Sequence, residues 1–83
     1  MSRKKRTYAD FKVGDVFVGV GDNEEVFLIT GDGLYHEHWD VLTVVAAKGS
    51  QRGLGHREAW LSKTAPVSGV YDVYRAGKIV CRT

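Results

Sequence analysis

No stretch of this 83-residue chain sustains apolar residues at i, i+3, i+4 and i+7 over the ~11 residues that an amphipathic helix requires. Short runs of β-branched and aromatic residues take its place, each ending in turn chemistry, and the chain carries 10 Gly. In "VFVGV", Val16, Val18 and Val20 fall on one face of a strand, with Phe17 and Gly19 on the other. "GDNEE" (21–25) is a turn and "EVFLIT" (25–30) a second strand, so residues 16–30 read as a hairpin. After the tight turn "GDG" (31–33), "LYHEHWDVLTVVAA" is too long for one flat strand. It predicts either a strand bent or bulged near Trp39-Asp40 or two short strands.

"KGSQRGLG" (48–55) reads as a mobile, basic, glycine-rich loop. "HREAWLSK" (56–63) reads as a strand with Ala59 and Leu61 set against Glu58 and Trp60, a single helical turn being the alternative. Pro66 ends that segment. "VYDVYRAGKIVCR" predicts a closing hairpin turned at Arg75-Ala76-Gly77-Lys78. The expected fold is all-β: a small, strongly bent, five- to six-stranded antiparallel barrel or sheet. Closure is favoured because it removes exposed edges. Residues 1–7 form a disordered basic arm and residues 8–83 a single domain, with Trp39 and Trp60 expected in its core.

A chain of this length has little room for a deep pocket. The single cysteine, Cys81, excludes an internal disulfide framework and fits a reducing cytosol. No apolar run approaches the ~20 residues that span a membrane, so a cytoplasmic protein without membrane contact is expected. The formal charge of +2 conceals an uneven layout. Residues 3–6 carry +4, residues 7–40 carry −7, and residues 41–83 carry +5. Any phosphate-binding surface is therefore local, built by the arm and the second-half loops.

"FKVGDVFVGV", its polar turn and "EVFLIT" resemble the opening hairpin of SH3-like small barrels, including KOW and Tudor-type modules. The same plan is similar to that of small uncharacterised bacteriophage proteins. The first resemblance implies a small barrel. The second implies an accessory protein that binds and modulates a host factor.

Candidate chemistry follows from residue types. His36 and His38 share a strand face and His56 is available from another segment, which makes these three the metal candidates; Asp40 would lie beside His38 and could orient its ring. H-x-H without further ligand spacing is a weak pattern, and a solvated strand face accounts for it, so neither metal nor cofactor is expected. Cys81, between Val80 and Arg82, has the surroundings of a small sheet residue rather than a nucleophile. No phosphate-cradling or nucleotide fingerprint is present, and an enzyme is not expected.

Nucleic acid is the preferred partner, alone or within a nucleic-acid-processing protein machine. The contacts would come from Arg3, Lys4, Lys5 and Arg6 of the arm and Lys48, Arg52 and Arg57 of the loop. The alternative is a protein contact through the acidic hairpins and histidine face (Asp22, Glu24, Glu25, His36, His38), or through an edge strand that pairs with a host protein or a second copy in a homodimer. An exposed aromatic beside Arg52 or Arg57 favours the first reading. Buried tryptophans favour the second.

Overall fold

A computed structural model of the chain describes residues 6–32, 37–46 and 54–83. After one 3-10 turn (Tyr8–Asp10) come six strands: β1 (Val16–Gly19), β2 (Val26–Gly31), β3 (His38–Val45), β4 (Gly55–Ser62), β5 (Tyr71–Arg75) and β6 (Lys78–Arg82). They form one antiparallel sheet in the order β4-β3-β2-β1-β5-β6. The first four strands are a meander. Residues 63–70 then carry the chain across to the free side of β1, where β5 and β6 add the terminal hairpin.

Alternation decides which side chains enter the core. Phe17 of β1, Phe27 and Ile29 of β2, Trp39 and Val41 of β3, and Tyr71 and Val73 of β5 are all buried. Their odd numbers reflect the two-residue period of a strand. Phe17 is fully buried and stacks on its cross-strand partner Phe27 at 4.7 Å between ring centroids. Phe11 meets it edge-on at 4.8 Å and Tyr71 at 5.7 Å. Hairpin 16–30 and the terminal hairpin form as the pattern predicts. Ala76 and Gly77 both take positive φ (53° and 80°), the conformation of a two-residue turn that matches strand twist.

The sheet stays open. Among the described residues β4 and β6 are edges and do not pair with each other, so closure, favoured from sequence, does not occur. The physical reason lies on the inner face, where Tyr8, Phe11 and Val67 cover the apolar side chains. The residues before β1 are strapped onto the crossover: Tyr8 N–H donates to Ala65 O (3.2 Å), Ala9 N–H to Lys63 O (2.8 Å) and Val67 N–H to Arg6 O (2.9 Å). Thr7 also bridges to Pro66. Arg6 and Thr7, assigned to the arm from sequence, are thus joined to the body through their backbone. No helix among the described residues is long and apolar enough to cross a membrane.

One carboxylate is built into this frame. Asp15, just before β1, is fully buried and accepts two bonds from Arg75, Nε to Oδ1 and Nη2 to Oδ2, both at 2.8 Å. Burial pushes its pKa up, but the guanidinium and the Lys12 N–H (2.9 Å) together hold it below the ordinary carboxylate value.

Candidate nucleic-acid interface

The site begins with an irregularity in β4. Pairing runs His38↔Ser62 and Trp39↔Leu61, then resumes at Val41↔Arg57. One residue of β3, Asp40, therefore faces three of β4, Glu58, Ala59 and Trp60. Ala59 sits at φ +48°, and its N–H donates to Asp40 Oδ1 at 2.8 Å. A left-handed alanine is strained, and Asp40 anchors the bulge that contains it. The bulge also breaks strand parity. Arg57 and Trp60 would point to opposite faces of a regular strand, yet here the Arg57 guanidinium lies 5.0 Å from the Trp60 ring centroid.

Trp60 is 43% exposed, which corrects the expectation that both tryptophans join the core. Trp39 is buried as alternation predicts, its Nε1–H donating to Tyr8 O at 2.8 Å and Lys63 Nζ lying 4.0 Å from its ring.

Trp60 lines a groove of about 270 Å³. Phe27 and Val41 come to it from the sheet, Leu61 from β4, and Pro66 and Tyr71 from the crossover and the start of β5. Glu25 is the only acidic group among the groove's described lining. It accepts the Tyr71 hydroxyl at 2.5 Å, and its backbone N–H donates to Asn23 Oδ1 at 3.2 Å. Asn23 Nδ2 in turn donates to Val70 O at 3.1 Å. Two glycines permit this packing. A Cβ at Gly19 would lie 2.2 Å from Asn23 O, and one at Gly69 would lie 2.6 Å from the Tyr71 ring. Burial, then the bond to Glu25, pushes the Tyr71 phenol far above its ordinary pKa, so it stays a donor.

The residues singled out from sequence divide into three groups. Arg3, Lys4, Lys5, Lys48, Arg52 and His36 lie outside the described residues. Arg57 lies over the ring of Trp60, which lines the groove, and Arg6 is exposed within the strap. The acids proposed as a shared contact patch are not one patch. Asp22 and Glu24 are exposed at the β1–β2 turn, whereas Glu25 turns into the groove. Part of the acidic segment is bonded internally. Asp15 pairs with Arg75 and Asp32 with Lys63, both bases of the second half, while Asp10 accepts the Thr7 N–H.

The register keeps two metal candidates apart. His56 faces Leu42 while His38 faces Ser62, four residues further along β3, roughly 13 Å of strand. His56 Nε2 bonds Thr30 Oγ1 at 2.8 Å, and His38 Nδ1 is buried with no partner among the described residues. Asp40 holds Ala59 N–H instead of orienting the His38 ring. Among the described residues no group of three His, Cys, Asp or Glu is placed to hold a metal ion. Cys81 is half-buried and packs against the core.

Two features of the site escaped the sequence reading: the placement of Trp60 in the groove and the Glu25–Tyr71 pair. Both depend on contacts between distant segments, with no local spacing to mark them. Comparison of the chain with protein-family models, curated proteins and solved structures finds no match.

Proposed function

We propose that this protein is a non-enzymatic β-sheet binding module whose groove contacts single-stranded nucleic acid, alone or within a nucleoprotein machine. The observation that carries the reading is the exposed Trp60, with Arg57 over its ring, in the lining of an aromatic groove. An exposed aromatic offers a stacking platform to any base, and an arginine beside it supplies charge for the backbone. The basic run Arg3–Arg6 and the basic residues Lys48 and Arg52 add phosphate-neutralising charge in the same chain. A cytoplasmic setting fits the lone cysteine.

A salt titration of binding to short single-stranded oligonucleotides tests this. Affinity falls steeply as salt rises, and removing residues 1–5, which takes away Arg3, Lys4 and Lys5, lowers the log–log slope by about 2. Trp60→Ala weakens binding by about tenfold while leaving the slope in place. Absence of binding at low salt defeats the proposal.

A second reading is favoured by β6. Ile79 and Val80 are 55% and 45% exposed on an edge strand, a surface suited to extending a partner's sheet. An accessory protein that modulates a host factor, as the phage-like resemblance implies, would use such an edge. Recovery of one specific protein from nuclease-treated lysate, lost with Val80→Lys, would favour it over the nucleic-acid reading.

A further inference from the structure

We infer that Glu25 is a specificity-determining residue that makes the groove selective for guanine. The inference rests on the nucleic-acid reading and deepens it. Glu25 and Trp60 line the same groove of about 270 Å³, so a base seated in it against the tryptophan shares that space with a carboxylate. That carboxylate is held in place. Tyr71 donates to Oε1, Asn23 takes the Glu25 backbone N–H, and Gly19 and Gly69 allow the close approach of Asn23 and the Tyr71 ring.

An ionised carboxylate only accepts hydrogen bonds, and Oε1 retains a second lone pair beyond the one Tyr71 uses. It therefore rewards donors and repels acceptors. Guanine alone among the common bases carries two adjacent donors, N1–H and the N2 amino group, on its Watson–Crick edge. Adenine and cytosine place a ring acceptor beside their single amino group. Uracil flanks its one N–H with two carbonyl oxygens. Unstacked bases in single strands are read on this edge, and a bidentate match to a charged side chain discriminates strongly.

The test uses short uridine oligonucleotides with one internal position varied among guanine, inosine, adenine, cytosine and uracil. With the full-length protein, guanine binds about tenfold tighter than uracil, adenine or cytosine. Inosine, which lacks the N2 amino group, loses most of that gain. Glu25→Gln levels guanine with the other bases while salt-dependent binding persists, its fold being checked by thermal melting. If binding occurs but guanine, inosine and uracil are equivalent, or if Glu25→Gln keeps the guanine preference, the inference fails and the nucleic-acid reading stands. If no oligonucleotide binds at low salt, both fail. Should Glu25→Gln not fold, the guanine–inosine comparison on the unaltered protein decides alone.

Discussion

The two tryptophans occupy paired strands and have opposite fates. Trp39 on β3 is 8% exposed, bonded to Tyr8 O and packed among the aromatic core. Trp60 on β4 is 43% exposed and lies under Arg57. The difference comes from position in the sheet. β3 is flanked by partners on both sides and departs from regular pairing with β2 by single residues only. β4 has one partner, so it can accommodate the bulge that re-aims a side chain without disrupting a second ladder. The interior supplies stability, and the edge supplies an accessible surface.

The largest effect should come from the interior. Phe17→Ala removes the ring at the centre of the aromatic cluster and should cost about 3–5 kcal/mol, measured by urea denaturation. For so small a domain that approaches global unfolding. A loss below 1 kcal/mol would mean that the middle of the sheet is no more cohesive than its edge.

Next is the buried carboxylate. Asp15→Asn leaves Arg75 without its charged partner and should cost about 2–3 kcal/mol, short of the cost for a fully buried pair because Arg75 is partly exposed. The pH dependence follows from the direction of the shift. The folded state holds the Asp15 pKa below its ordinary value. Its contribution is therefore complete above the unfolded-state pKa of about 4 and is lost as pH falls from there through the lower folded value. Melting temperature should drop across that window more steeply for the unaltered protein than for Asp15→Asn.

A smaller effect should follow at the edge. Asp40→Ala removes the acceptor that anchors Ala59 N–H and should cost about 1 kcal/mol. Its greater consequence should be on oligonucleotide affinity, because the bulge no longer holds Trp60 beside Arg57. Equal affinity before and after the change would separate the bulge from the site. Smallest of all, Ala59→Gly relieves the positive φ and should shift stability by less than about 1 kcal/mol, in the stabilising direction.

The same contrast explains what was legible in the sequence. Alternation located the 16–30 hairpin and the inward face of Trp39, while turn chemistry at Ala76-Gly77 located the terminal hairpin, whose β6 carries one extra residue, Val80. Excess length suggested a third strand bent, bulged or split near Trp39-Asp40, but β3 runs unbroken from His38 to Val45, and the extra residues opposite Asp40 belong to β4. The side chain of Trp60 was misplaced because a hydrogen bond from Ala59 to Asp40, on another strand, overrides the parity of β4. Closure was expected because edges are hazardous, and it is absent because the strap and crossover cover the inner face instead. The Asp15–Arg75 pair spans 60 residues, and no local pattern marks it.

The most direct test of the account is the pair of indole N–H signals in a proton–nitrogen correlation spectrum, assigned with Trp60→Phe and followed as a single-stranded oligonucleotide is added. Trp60 is in the groove, while the Trp39 N–H is occupied by Tyr8 O. The account predicts that the Trp60 signal shifts progressively and saturates while the Trp39 signal stays in place. A Trp60 signal that does not move at low salt, or a Trp39 signal that moves as far, would contradict it.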